Sequence, residues 1–121
     1  MEYEILGKNN DIAFANTDEQ MIKDTQSALD YIMSVKYETG CQKVIINKTC
    51  LSDDFFILST GCAGEILQKF INYQIKAAII GDYSQYTSKP LKDFIYESNQ
   101  GNHIYFLTNL QEAVEKLDRC L

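Results

Sequence analysis

The apolar positions of this chain switch between two periods. Short runs of consecutive or alternating apolar residues are separated by longer stretches in which they recur every three to four positions. The first kind reads as strand and the second as one face of a helix. Tyr3-Glu4-Ile5-Leu6 and Ile12-Ala13-Phe14-Ala15 flank the turn cluster Gly7-Lys8-Asn9-Asn10 and predict an opening hairpin. Asp24 is the expected N-cap of a first helix. Its stripe would be Ala28, Leu29, Ile32, Met33 and Tyr37, ending at Gly40. Val44-Ile45-Ile46 and Ile75-Lys76-Ala77-Ala78-Ile79-Ile80 are the β-branched, apolar runs of strands covered on both faces, as in parallel sheets.

Between those runs, Ser52-Asp53-Asp54-Phe55-Phe56 suits a single helical turn. Ser59 or Thr60 then caps a second helix with Ala63, Ile66, Leu67, Phe70 and Ile71 on one face. Ser88 caps a third helix, with Pro90 in its first turn, where a missing N–H is harmless. Leu91, Phe94 and Ile95 face inward, and Asn99-Gln100-Gly101 stops it. Ile104-Tyr105-Phe106-Leu107 is the last strand. Thr108 with Gln111 reads as a capping box for a final helix through Leu110, Ala113, Val114 and Leu117. The order ββαβαβαβα predicts one α/β domain, a mixed and mostly parallel sheet covered by four helices.

Length and composition narrow the class. At 121 residues the chain falls within one domain on a scale of ~150 residues each. A single Pro and six Gly argue against linkers and disorder. The net charge is −6, with 11 basic residues scattered among 17 acidic ones. Nucleic acid and anionic membrane surfaces need clustered cations, so neither is an expected partner. The start, Met1-Glu2-Tyr3-Glu4, is acidic without an apolar signal core, and no apolar run nears the ~20 residues of a membrane span. A cytoplasmic location is the expectation. There the thiols of Cys41, Cys50, Cys62 and Cys120 stay reduced. They form no Cys-x-x-Cys pair and His103 is the single histidine, so no metal and no cofactor is expected.

In a parallel sheet the strand-to-helix loops share the carboxyl edge, where open α/β folds bind ligands. Two unusual loops meet that edge here, residues 47–60 and 82–89, and they are neighbours if their strands are adjacent. The first leads into Ser59-Thr60-Gly61-Cys62-Ala63-Gly64-Glu65. Free N–H groups and the helix dipole favour an anion at such a corner, and a phosphate on Ser59 or Thr60 would gain the same stabilisation. The bland alternative is ordinary N-capping, with Gly61 and Gly64 allowing close helix packing. In the second loop Asp82, Tyr83, Ser84, Tyr86, Ser88 and Lys89 form a polar segment with two tyrosines. Such rings either mark an interaction surface or fold onto the core. Phe55 and Phe56 likewise either plug the core or form an apolar patch. Asp53, Asp54, Asp82, Glu65 and Glu97 could supply carboxylates for acid–base work, although solvated caps explain them equally. His103 reads as a structural histidine at the opposite edge.

Two blocks carry a family resemblance. Phe55-Phe56 through Thr60-Gly61, Ala63-Gly64-Glu65-Ile66-Leu67-Gln68-Lys69-Phe70 and Asn72-Tyr73 form the first. Gly81-Asp82-Tyr83-Ser84, Tyr86-Thr87-Ser88-Lys89 and Asp93-Phe94-Ile95-Tyr96-Glu97-Ser98-Asn99 form the second. Both resemble a bacterial family of unknown function, DUF4180, which brings no assigned activity. The element order is also similar to that of STAS domains, which place a phosphorylatable Ser or Thr in an Asp-Ser-x-Gly-type loop before their second helix. Leu58-Ser59-Thr60-Gly61 is similar, with Leu58 where the Asp would stand. The leading expectation is a non-enzymatic, STAS-like module that recognises a protein partner or a small anionic ligand at the carboxyl edge. Ser59 and Thr60 would meet the anion or carry phosphate, Tyr83 and Tyr86 would give contact area and Lys89 positive charge, with Gly61, Gly64, Asp82, Ser84 and Ser88 completing the binding surface. A small carboxylate–hydroxyl enzyme using Asp82 and Glu97 is the runner-up. Self-association as a homodimer is a third reading.

Overall fold

A computed structural model describes residues 2–120; Met1 and Leu121 lie outside the described residues. The order is β1 (Glu4–Leu6), β2 (Ile12–Phe14), α1 (Thr25–Thr39), β3 (Lys43–Asn47), α2 (Cys62–Asn72), β4 (Lys76–Ile80), α3 (Lys89–Gln100), β5 (Ile104–Leu107) and α4 (Leu110–Asp118). Three 3-10 turns, Lys48–Cys50, Asp53–Phe56 and Leu58–Thr60, fill the β3–α2 connection.

The five strands lie in the order β1-β2-β3-β4-β5. Only β1 runs antiparallel to its neighbour; β2, β3, β4 and β5 are parallel. The decisive pairing is β3 with β4, in which Val44 faces Ala77, Ile45 faces Ala78 and Ile46 faces Ile79. Successive crossovers of one hand, laid along a sheet that never reverses direction, deliver their helices to the same face. Accordingly α1, α2 and α3 bury Ala28, Ile32, Val35, Ala63, Ile66, Phe70 and Leu91 against Ala13, Val44, Ile46, Ala77, Ile79 and Phe106. Helix α4 covers the other face, where Ala113 and Leu117 meet Ile12, Phe14, Ile45, Ala78 and Tyr105.

Most local signals act within the elements they predict. Asp24 accepts from the Ser27 N–H at 2.8 Å in a capping box, and Gly40 ends α1 at φ 70°. Ser88 caps α3 with Pro90 in the first turn. Ile22 makes an isolated parallel bridge to Leu51.

Three expectations are corrected. The buried stripe of α1 is Ala28, Tyr31, Ile32 and Val35, whereas Met33 and Tyr37 point to solvent. Both sets recur at helical spacing, and contact with α2 selects between them. Helix α2 is capped by Gly61 rather than by Ser59 or Thr60, because the preceding residues are held in the 3-10 turn and Gly61 adopts φ 77°. Helix α4 starts one residue later than the Thr108–Gln111 box implies: Asn109 caps it and accepts from Glu112 N–H at 2.9 Å.

Candidate functional site

The parallel β3–β4 pairing brings the two loops side by side at the carboxyl edge. Lys48, directly after β3, is the link between them. Its ammonium donates to the Asp82 carbonyl at 2.8 Å and lies 4.6 Å from the Tyr86 ring centre and 5.8 Å from those of Phe56 and Tyr83. Three ring faces around one cation form a stabilising electrostatic nest. Gly81 permits the approach, since a Cβ there would fall 2.7 Å from Lys48 Cβ. The sequence reading missed Lys48, whose only signal was a basic residue at the mouth of a buried strand.

The tyrosines fold inward, and Phe55 and Phe56 plug the core end as buried residues. Tyr83 donates its hydroxyl to the Ile79 carbonyl at 2.6 Å and sets its ring edge-on to Phe106. Burial pushes that hydroxyl's pKa far up, so it stays a donor. Tyr86 stacks on Phe56 with centroids 5.0 Å apart. Asp82 accepts from the Ser84 N–H at 2.9 Å, and these bonds to Ser84 hold its carboxyl below the usual range. It is a turn-forming carboxylate and not a proton donor at neutral pH. Lys89 spends its charge on Asp93 at 2.7 Å.

The two loops also carry a set of exposed residues, Ile57, Ser59, Thr60, Gly61, Ser84 and Ser88, which together make the ledge of this edge. Thr60 Oγ1 lies within bonding distance of the Asp54 and Ile57 carbonyls, at 2.9 and 2.8 Å, and accepts from the Cys62 N–H. The Ser59 hydroxyl makes no such bond among the described residues and faces solvent. Gly64 is exposed, and a methyl added there would meet nothing within 4 Å, so close helix packing does not account for it. Cys62 opens α2, yet burial and the nearby Asp54, Glu65 and Asp24 raise its pKa, so it is not an activated thiolate. The strand order runs from β1 to β5 without reversal. Cavities lie at the amino edge and between α2 and α3. Among the described residues no cluster of three or more His, Cys, Asp or Glu could hold a metal ion.

Residues 7–117 match the family described as a domain of unknown function, DUF4180. The chain belongs to that family. The match spans both loops, so the Lys48 hub and the ledge lie within the DUF4180 domain. No curated protein and no solved structure matches the chain. In this DUF4180 domain no helix among the described residues is long and apolar enough to cross a membrane.

Proposed function

We propose that this domain is a non-catalytic, STAS-like recognition module that presents the carboxyl-edge ledge to a protein partner. The observation that carries the proposal is the union of the two loops on adjacent parallel strands, knitted by Lys48, Phe56, Tyr83 and Tyr86 into one rigid platform. A surface with an exposed Ile57 and several small polar groups suits a protein face better than a small molecule, which needs a concave, mostly apolar pocket. The element order ββαβαβαβα, on which the STAS resemblance rests, supports the same reading. Ser59 is the preferred site of regulatory phosphate. Its hydroxyl is exposed and two residues separate it from the first turn of α2, whereas Thr60 would have to give up its carbonyl contacts.

The test is a photo-crosslinking residue placed singly at Ser59, Ser84 and, as control, Glu115 on the far helix, in the full chain expressed in its native host. One discrete protein adduct shared by the first two positions and missing from the third supports the module. No adduct, or the same adducts from all three, overturns it. Intact-mass measurement of the same preparations reads phosphate at Ser59.

A further inference from the structure

The amino edge of the sheet carries a concentration of positive charge that the overall composition hides. A cavity of about 670 Å³ opens there between the α3–β5 turn and the end of α4. Its charged lining is Lys76, Lys116 and Arg119, together with the amides of Gln100 and Asn102, and among the described residues no carboxylate lines it. In a chain with 17 acidic and 11 basic residues, three cations around one hollow with no acid among them run against the global charge balance. A second hollow of about 450 Å³ shares Lys76 and Cys120 with the first and adds the buried Lys43.

The ordinary explanation for cations here is that they satisfy carbonyls at helix C-termini. It accounts for part of the set. Lys43 donates to the Cys120 carbonyl at 3.0 Å and pairs with Asp11 at 3.1 Å. Lys76 donates to the Asn102 carbonyl, and Arg119 Nε reaches the Glu115 carbonyl at 3.2 Å. It does not account for Lys116. That ammonium sits 4.9 Å from the Tyr105 ring centre and has no carboxylate or carbonyl partner among the described residues. Nor does it use the terminal nitrogens of Arg119, which is exposed. The neighbouring acid Asp118 is turned away and accepts from the Lys8 N–H of the β1–β2 turn.

We propose that the hollow is a binding site for a phosphate-bearing small molecule. Lys116 and Arg119 would bind the phosphate directly, Lys76 would add field, and the Asn102 and Gln100 amides would orient the remainder. A hollow whose described lining carries charge of one sign, walled by the Tyr105 ring, focuses potential on such a dianion, and the bidentate guanidinium fork matches its oxygens. The site is at the opposite edge from the ledge and does not depend on the module reading above.

The experiment titrates the full chain with inorganic phosphate and then pyrophosphate, at constant ionic strength, following backbone amide shifts by NMR. Saturable changes confined to residues 99–105 and 116–120, tighter for pyrophosphate than for phosphate, are expected. Lys116→Gln and Arg119→Gln should each weaken binding roughly tenfold or more, and Lys23→Gln on the far side should leave it unchanged. Thermal melts of each variant in buffer alone separate lost binding from lost folding, and Lys116→Arg should retain binding. Shifts scattered over every lysine, no saturation, or equal affinity in the Lys116→Gln and Arg119→Gln variants would overturn the assignment.

Discussion

At Phe106 the open side of β5 is met by a single side chain, and removing it should be costly. At the two ends of β5 the carbonyls of His103 and Leu107 accept from the N–H groups of Ala77 and Gly81. Alternation therefore turns the N–H and C=O of Phe106 toward the unpaired edge. Asn99, near the end of α3, meets both: its Oδ1 accepts the Phe106 N–H at 2.7 Å, and its Nδ2 donates to the Phe106 carbonyl at 3.1 Å. The amide thus stands in for one residue of a sixth strand. Phe106 is only 4% exposed, so its backbone groups are poorly placed to recover water. Two bonds at about 1 kcal/mol each, plus a partial penalty for stranded groups, put Asn99→Ala at about 2–4 kcal/mol. That corresponds to a fall in Tm on the order of 10 °C for a domain of this size. Urea unfolding followed by circular dichroism measures it.

Asn99→Asp refines the test. Its carboxylate keeps the acceptor for Phe106 N–H but faces the carbonyl without a proton, so its folded pKa is raised above the unfolded value. The stabilisation is then fully present below the unfolded pKa, roughly 3.9, and is lost as pH rises through the folded value. The variant should most resemble the parent in acid and diverge toward neutrality. An Asn99→Ala change within about 0.5 kcal/mol of the parent, or an Asn99→Asp gap independent of pH, would refute the strand-mimic reasoning. Light scattering of Asn99→Ala should also show association through the uncovered edge.

Two glycines should respond in opposite directions. Gly81→Ala drives a methyl to 2.7 Å from Lys48 Cβ and should cost about 1–3 kcal/mol in chemical denaturation, while Gly64→Ala meets nothing within 4 Å and should stabilise α2 by about 0.5–1 kcal/mol. Equal effects would contradict the packing described. Tyr31 buries its hydroxyl without a hydrogen-bond partner among the described residues. Tyr31→Phe should therefore raise thermal stability, by about 1 kcal/mol, and a loss would reveal a bonded water. Asp24, whose carboxyl is held below its usual pKa by hydrogen bonds from Ser27, stabilises α1 fully above the unfolded value and ceases to do so as pH falls through the folded one. The stability gap to Asp24→Ala should narrow in acid, and a constant gap from neutral pH to pH ~2 would count against the cap's charge.

Much of the architecture was legible along the chain because it rests on local chemistry. The apolar runs at residues 44–46 and 75–80, the Asp24 cap, the stop at Gly40 and the Ser88–Pro90 helix start each act within a few residues of themselves. The shared edge of the 47–60 and 82–89 loops was legible too, once the strands were read as parallel. What stayed hidden depends on which distant surfaces meet. Tyr31 and Val35 rather than Met33 and Tyr37 face inward because α2 docks on that side of α1. The tyrosine bend became a packed hub because Lys48, 34 positions before Asp82, enters between its rings.

The amino-edge cations come from β4 and from the C-terminal end of α4 with its cap residue, and no spacing links positions 76, 116 and 119. Local sequence sets the conformation of each element, since propensity, capping and turn chemistry act over one or two turns. Strand order, the choice of buried face and the gathering of charge at one end of the sheet are decided only by long-range packing. There the free energy belongs to pairs of residues that the chain alone does not bring together.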